Sequence, residues 1–151
     1  MKAFIQPGPI KGSIIVPGSK SHTIRALIIA TLAEGQSVIR NPLLSEDSKA
    51  AINAARQFGS VIGMHDGCWT VESPARGLQT PDNVVDVLNS GTTLYFMTAL
   101  ASLLDDAVVF TGDESIRSRP SEPLLDALRQ LGVEAYTTRK HSHAAGFGWT
   151  H

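Results

Sequence analysis

Apolar residues in the first third of the chain recur with the period of an α-helix. Five positions share the i, i+3, i+4, i+7, i+8 spacing: Ile24, Leu27, Ile28, Thr31 and Leu32. Ser19 stands where an N-cap is expected and Gly35 where a helix would end, so this pattern predicts a helix between them. Before the helix, the β-branched run at residues 13–16 ends at Pro17-Gly18. That arrangement predicts a strand followed by a turn.

The next segment predicts a strand, a second helix and a hairpin. Residues 37–40 form an apolar strand pattern that Asn41-Pro42 interrupts. A helix follows, capped by Ser45 or Asp47 and ended by Gly59 after Phe58. Residues 60–64 and 68–72 are predicted strands, with His65-Asp66-Gly67 as the turn between them. The first part of the chain is therefore predicted to be a βαβαββ unit.

The same order of elements then begins again. We predict strands at residues 84–88, 107–111 and 133–138, and a helix at residues 121–131 that begins with Pro123. Another helix lies between the first two strands, with a stripe formed by Leu94, Met97, Ala101 and Leu104. Ser19 and Ser90 are 71 positions apart, and Gly59 and Gly132 are 73 apart. An internal repeat of about 71 residues explains this spacing.

The repeat predicts an α/β (α+β) protein of two units, one complete and one incomplete. The units span residues 12–72 and 84–138, within one partial domain at residues 1–138. The second unit lacks a closing strand, and residues 139–151 are predicted to be an irregular tail. His141-x-His143 in this tail could bind a metal, but no acid or cysteine lies near it in the sequence, and a tail without a metal is the preferred interpretation.

Composition excludes several classes of protein. The 151 residues include 13 Lys and Arg against 14 Asp and Glu, a formal net charge of −1. This balance argues against a general nucleic-acid binder or a protein of anionic membranes. The single cysteine, Cys68, excludes an internal disulfide. The start has no signal-peptide pattern, and the most apolar stretch, residues 26–33, is too short to span a bilayer, so we expect a cytoplasmic protein.

Two predicted helices begin with small hydroxyl and glycine residues. These helix starts read Pro17-Gly18-Ser19-Lys20-Ser21 and Asn89-Ser90-Gly91-Thr92-Thr93. A helix N-terminus attracts anions through its free N–H groups and its dipole. The positive charge of Lys20 in the first turn interacts unfavourably with the positive end of this dipole, and a bound anion would offset that cost.

Arg25 lies one turn beyond Ser21, so the two residues share a helix face that could hold a phosphate or carboxylate. The alternative is a solvated Lys20 and a surface Arg25 paired with Glu34 or Asp47. The string is not a Walker A loop, because the spacing before Lys20 is wrong.

A second basic element is Arg117-Ser118-Arg119-Pro120. Pro120 favours an extended Arg119, which would place Arg117 and Arg119 on the same side as an anion clamp. The alternative is a solvated turn in which Arg117 pairs with Asp113 or Glu114.

These motifs together resemble the 5-enolpyruvylshikimate-3-phosphate synthase family. The resemblance rests on Pro17-Gly18-Ser19-Lys20-Ser21-x-x-x-Arg25-Ala26-Leu27, Asn89-Ser90-Gly91-Thr92-Thr93, and Arg117-x-Arg119-Pro120 with Leu124-x-Asp126-Ala127-Leu128. It implies repeated βαβαββ units arranged in two domains. It also implies transfer of the enolpyruvyl group of phosphoenolpyruvate to the 5-hydroxyl of shikimate 3-phosphate, releasing phosphate. This reaction of aromatic amino acid biosynthesis proceeds through a tetrahedral intermediate, with no metal or organic cofactor.

The resemblance also implies roles for individual residues. Lys20 corresponds to a catalytic lysine that contacts both substrates, and Ser21 and Arg25 to ligands of shikimate 3-phosphate. Asn89, Gly91 and Thr92 correspond to the phosphoenolpyruvate loop. Arg119 corresponds to an arginine that holds the same anion, and Asp47 to an acid near the site.

Two departures from the family pattern leave alternatives open. Tyr95 stands where many members carry an arginine. The family chain is also more than twice as long, and its remainder supplies further ligands, so we expect an N-terminal portion that is inactive alone and needs a C-terminal half as partner. A non-catalytic remnant that binds phosphorylated ligands weakly is one alternative. An enzyme acting on UDP-N-acetylglucosamine is another, although that branch usually has Lys-Asn in place of Lys20-Ser21.

Overall fold

A computed structural model describes residues 3–4, 6–9, 11–139 and 142–148, with side chains as far as residue 137. The first half contains helix α1 (Lys20–Leu32), strand β1 (Gln36–Arg40), helix α2 (Glu46–Gln57) and strands β2 (Val61–His65) and β3 (Cys68–Glu72). These elements form an antiparallel sheet in the order β1-β3-β2. Asp66 and Gly67 both have positive φ, as a tight hairpin turn between β2 and β3 requires.

The second half repeats this order and adds a strand before it. Strand β4 (Val85–Asp86), helix α3 (Gly91–Ala101) and strand β5 (Val108–Thr111) come first. Helices α4 (Glu114–Arg117) and α5 (Glu122–Gln130) and strands β6 (Glu134–Arg139) and β7 (Ser142–Gly148) follow. The sheet order is β4-β5-β7-β6, so β5-β7-β6 repeats β1-β3-β2. The predicted α/β class is confirmed.

The corner between helix and strand is built the same way in both units. Gly59 and Gly132 follow α2 and α5 with φ of 97° and 90°, a left-handed conformation that glycine adopts without strain. Arg56 donates a hydrogen bond to the carbonyl of Ile62 at 3.0 Å, and Arg129, 73 residues later, donates to the carbonyl of Ala135 at 2.6 Å. The internal repeat is therefore visible in side-chain contacts as well as in element order.

One hydrophobic core joins the two units. Helices α1, α2 and α3 contact one another, α1 and α2 contact the first sheet, and α2 and α3 contact the second. The predicted helical stripes face this core, with Ile24, Leu27, Leu94 and Met97 all buried. Their packing fixes the three helices relative to one another, and with them the helix N-termini. Within the described ranges, no helix is long and apolar enough to cross a membrane.

The structure differs from the sequence predictions at three places. Residues 13–16 form no strand, because no described strand pairs with them. The turn of helix α4 was not predicted. Residues 142–148 form the closing strand β7, where an irregular tail was expected, whereas residues 140, 141 and 149–151 lie outside the described part.

Candidate functional site

The start of α1 presents a lysine held by a carboxylate. Ser19 caps the helix, its hydroxyl oxygen accepting a hydrogen bond from the His22 amide at 3.4 Å. Lys20 is the first helical residue, and its Nζ lies 3.2 Å from Oδ2 of Asp47. Because both side chains are partly exposed, this pair adds little stability, about 0–1 kcal/mol. Its main consequence is that the ammonium group is directed towards α2.

Asp47 is fixed by the first turn of α2. Ser45 and Ser48 form a reciprocal capping box at this end of the helix. The Ser48 hydroxyl also donates to the carbonyl of Leu43 at 2.8 Å. The Asp47 side chain is only 20% exposed, so its carboxylate is held at the edge of a cleft.

The start of α3 lies beside α2. Ser90 caps α3 and accepts a hydrogen bond from the Thr93 amide at 3.3 Å. The Thr93 hydroxyl reaches the backbone carbonyl of Asp47 at 3.5 Å. The first turn of α3 thus lies next to the acid that pairs with Lys20, and the N-termini of α1, α2 and α3 meet at one place.

Arg119 lies against the first residue of α3. A Cβ added to Gly91 would stand 3.1 Å from Cζ of Arg119 and closer still to its Nη1. A side chain at position 91 would therefore displace the guanidinium group from its place over this helix end. Arg119 itself follows the short helix α4, which Asp113 caps by accepting from the Ile116 amide at 2.9 Å.

These residues line a cleft of about 360 Å³. Its walls are Lys20, Asp47, Asn89, Gly91, Thr92, Asp113, Ser115 and Arg119. The Asp47 and Asp113 carboxylates already accept hydrogen bonds from protein groups. In the described part of the chain, by contrast, the Arg119 guanidinium makes no hydrogen bond or ion pair. The cleft therefore combines helix N-termini with a guanidinium group whose donors are unused among the described residues, an arrangement suited to an anion.

Six of the eight site residues predicted from sequence meet at this cleft, and two lie beside it. Ser21 and Arg25 do not line its wall. Arg25 donates from Nη1 to the Ser21 carbonyl at 3.1 Å, and its Cζ lies 5.4 Å from the centre of the Phe96 ring. The alternative pairing of Arg25 with Glu34 or Asp47 is not formed, and Asp47 pairs with Lys20 instead.

The expected clamp of two arginines is wrong for one of them. Arg117 ends helix α4 and donates from Nη1 to the Gly112 carbonyl at 2.7 Å, so it supports the loop instead of facing the cleft. The helical turn of α4 rotates Arg117 away from Arg119, which an extended backbone would not have done.

Two lining residues, Asp113 and Ser115, were missed by sequence reasoning. Asp113 follows β5 directly and caps the next helix, and a strand followed by an Asp N-cap was a usable signal. Ser115 gave no signal of its own. A larger cleft, of about 880 Å³, lies at the other end of α1 around Glu34 and Asp105, and no predicted site residue lines it.

The described residues contain no group of three or more His, Cys, Asp or Glu side chains that could hold a metal ion. The His141-x-His143 candidate lies outside the side chains that the structure describes.

Comparison with known proteins gives one consistent family. The family model described as EPSP synthase (3-phosphoshikimate 1-carboxyvinyltransferase) matches residues 5–145. The chain is 52% identical to the 3-phosphoshikimate 1-carboxyvinyltransferase of Methanothermobacter thermautotrophicus over 132 residues, covering 87% of this chain and 31% of that protein. It is 48% identical to the enzyme of the same name from Ruminiclostridium cellulolyticum over 140 residues, covering 93% of this chain and 33% of that protein.

Solved structures agree with these sequence matches. An EPSP synthase from Acinetobacter baumannii superposes with a TM-score of 0.84 at 30% identity. The superposition covers 91% of this chain and 32% of that one, so the expected fold family is confirmed. This chain spans about a third of the length of the relatives it matches.

Proposed function

The chain belongs to the EPSP synthase family, and on that premise we propose that it carries part of the site of a 3-phosphoshikimate 1-carboxyvinyltransferase. The proposed reaction transfers the enolpyruvyl group of phosphoenolpyruvate to the 5-hydroxyl of shikimate 3-phosphate and releases phosphate. It is a step of the shikimate pathway of aromatic amino acid biosynthesis. One observation carries the proposal: the N-termini of α1 and α3, with Lys20 and Arg119, converge on a single cleft.

Two polyanionic substrates repel each other, so a site that joins them must supply positive charge at both. Lys20 is placed to serve this role, because it stands at the first position of α1 and borders the cleft that α3 also lines. Its hydrogen bond to Asp47 keeps the ammonium group oriented before any substrate enters. We assign Lys20 to contact with both substrates and Asp47 to the orientation of Lys20.

Arg119 is assigned to phosphoenolpyruvate, together with Asn89, Gly91 and Thr92. Its guanidinium group lies over the first turn of α3, where free N–H groups already favour an anion. An arginine can bind a carboxylate or phosphate through two parallel hydrogen bonds, and Arg119 has no competing partner among the described residues. The absence of a side chain at Gly91 leaves space for this contact.

Ser21 and Arg25 are assigned to shikimate 3-phosphate. Both are exposed residues one helical turn apart on α1, next to Lys20. The Ser21 hydroxyl has no hydrogen bond among the described residues, and the Arg25 guanidinium uses one donor on the Ser21 carbonyl. Both side chains thus retain donors for an anionic ligand beside the cleft.

We propose that this chain alone binds the two substrates but does not turn them over. The relatives are about three times as long. In the described part, the cleft offers two cations, one of which is already paired, for two ligands that each carry a phosphate and a carboxylate.

Isothermal titration calorimetry of the purified chain with each substrate tests the assignment. Because a charge-assisted hydrogen bond contributes about 1.5–3 kcal/mol, we expect Arg119→Ala to weaken phosphoenolpyruvate binding at least about tenfold. Lys20→Ala should weaken the binding of both ligands, and Arg25→Ala should weaken the binding of shikimate 3-phosphate alone. Lys49→Ala and Arg76→Ala, which remove exposed cations away from the cleft, are the matched controls.

Unchanged affinity in Lys20→Ala and Arg119→Ala would overturn the site. A phosphate-release assay with both substrates checks the second part of the proposal, since turnover by the chain alone would refute the half-site. Titration with UDP-N-acetylglucosamine tests the alternative that the chain belongs to the sugar-acting branch. We expect the chain not to bind this ligand.

A further inference from the structure

Helix α3 carries two adjacent aromatic residues, and each contacts the segment that bears one of the assigned arginines. Tyr95 contacts the loop of Arg119, and Phe96 contacts Arg25 on α1. Neither aromatic residue lines the cleft. Both pack against the core with their rings, so their positions are fixed by the fold.

Tyr95 holds the backbone next to Arg119. Its hydroxyl donates a hydrogen bond to the carbonyl of Pro120 at 2.9 Å. On the other side, the Arg119 amide donates to the Ile116 carbonyl at 3.1 Å. Among the described residues, the Tyr95 hydroxyl makes the one hydrogen bond that joins this loop to α3.

The same face of α3 contacts both Arg119 and the residue that follows it. Gly91 lies beneath the guanidinium group, and Tyr95, one turn later, holds the following carbonyl. Because residues four apart lie along one helix face, α3 contacts the guanidinium group of Arg119 through Gly91 and the backbone just after Arg119 through Tyr95. A hydroxyl located outside the cleft thus holds the backbone that follows Arg119.

Phe96 holds the other arginine from below. Cζ of Arg25 lies 5.4 Å from the ring centre, within the range of a cation–π contact. The bond from Nη1 to the Ser21 carbonyl aligns the side chain along α1 towards its N-terminus. The ring and the carbonyl together restrain a long side chain that is otherwise exposed.

We propose that Tyr95 and Phe96 are positioning residues, Tyr95 for Arg119 and Phe96 for Arg25. The inference rests on the proposed function only for the identity of the ligands that the arginines bind. It gives a role to Tyr95, which stands where many members of the family carry an arginine. In this chain the residue supports the anion-binding arginine of the neighbouring loop through its hydroxyl.

The first test is a crossed binding experiment. Tyr95→Phe removes only the hydroxyl and should weaken phosphoenolpyruvate binding about three- to tenfold. The affinity for shikimate 3-phosphate should stay within about twofold of that of the unchanged chain. Phe96→Leu should give the reverse pattern, weakening shikimate 3-phosphate binding about two- to fivefold, and Phe96→Tyr, which keeps the ring, should bind both ligands like the unchanged chain. Tyr136→Phe and Phe4→Leu, at exposed positions, are the matched controls.

A general loss of structure would weaken the binding of both ligands equally in Tyr95→Phe and in Phe96→Leu, and that outcome would overturn the proposal. Circular dichroism of each variant identifies this case independently. The crossed pattern is therefore the readout that a merely structural role does not produce.

A second test needs no ligand. Nitrogen-15 relaxation of the arginine Nε–H groups in the free chain should show increased motion of Arg119 in Tyr95→Phe and of Arg25 in Phe96→Leu, each with the other arginine unchanged. If the chain binds neither substrate yet this pattern appears, the positioning roles stand and the proposed function fails. If neither arginine gains motion in its variant, the positioning roles are wrong, whatever the chain binds.

Discussion

The two units begin in opposite ways although their sequences align there. Residues 14–16 and 85–87 are 71 positions apart, each six to four residues before the first residue of a helix. Val85 and Val87 are fully buried, and Val85 pairs with Phe110 in a parallel ladder. Ile14 and Ile15, by contrast, are 87% and 100% exposed and belong to no strand. Apolar β-branched residues are thus not sufficient for a strand.

The turn that follows each segment explains part of the difference. Leu88 adopts a φ of 52°, which lets its carbonyl accept the Asp113 amide at 2.8 Å, while its own amide donates to the Asp86 carboxylate. Its counterpart 71 positions earlier is Pro17, whose ring fixes φ near −65° and which has no amide hydrogen. Residues 14–16 are therefore not followed by the turn that brings residues 85–87 onto β5. We therefore expect the turn residue to contribute to whether the repeated strand forms, together with the presence of a partner strand.

The largest contrast in stability should come from the C-terminal ends of the repeated helices α2 and α5. Phe58 and Leu131 are 73 positions apart, but Phe58 is 0% exposed and stacks on Phe110 with ring centres 6.4 Å apart, whereas Leu131 is 76% exposed. We expect Phe58→Ala to lower the free energy of unfolding by about 3–5 kcal/mol, because it opens a cavity between the units. Leu131→Ala should change it by less than about 0.5 kcal/mol. Urea denaturation followed by circular dichroism measures both, and equal losses would show that the repeated positions are equivalent after all.

A smaller effect should follow from exchanging the turn chemistry of the two strands. Leu88→Pro removes the hydrogen bond from the Leu88 amide to the Asp86 carboxylate and forbids the positive φ. We therefore expect the free energy of unfolding to fall by about 2–4 kcal/mol and β4 to separate from β5. Pro17→Leu is the matched change in the first unit and should cost less than about 1 kcal/mol, since residues 14–16 have no strand to lose. Amide hydrogen exchange at Val87, whose amide donates to the Thr111 carbonyl, reports on β4 directly. Continued protection of that amide in Leu88→Pro would refute the explanation.

Local patterns predicted the helices and hairpin because they are determined by nearby residues. The structure contains each of these local features: the N-cap Ser19, the glycines Gly59 and Gly132 after helices, and the Asp66-Gly67 turn. The strand at residues 13–16 was wrong because a strand also needs a partner, which periodicity does not encode. The short β4 and the pairing of β7 between β5 and β6 likewise depend on distant residues.

The candidate site was predictable only as far as each residue's chemistry is local. Lys20, Gly91 and Thr92 stand at helix starts, where the sequence shows both the cap and the free N–H groups. The pairing of Lys20 with Asp47 depends on the packing of α1 against α2, and no spacing rule covers 27 residues. Arg117 does not join Arg119 as predicted, because the helical turn α4 ends at Arg117, where the sequence predicts an extended backbone.

The smallest contrast should come from the arginines that tie each helix to its following strand. Arg129 has two acidic neighbours that Arg56 lacks, with Nη1 lying 3.1 Å from Glu122 and 2.6 Å from Asp126. The hydrogen bond to the Glu122 carboxylate, followed by that to Asp126, raises the pKa of Arg129 above its ordinary value. A raised pKa of a base stabilises the folded state at every pH below the ordinary value, so this contribution is fully present at neutral pH.

We expect Arg56→Ala to cost about 0.5–1 kcal/mol through the lost carbonyl bond, and Arg129→Ala about 0.5 kcal/mol more. Because the Arg129 ion pairs are exposed, 1 M NaCl should remove most of that difference, while the difference should stay constant between about pH 6 and 9. Urea denaturation of both variants at low and high salt makes the comparison. The control repeats it in a chain that carries Glu122→Gln and Asp126→Asn, which removes both acidic neighbours of Arg129. If the difference survives both high salt and the double variant, it comes from packing around α5 and not from the acidic neighbours.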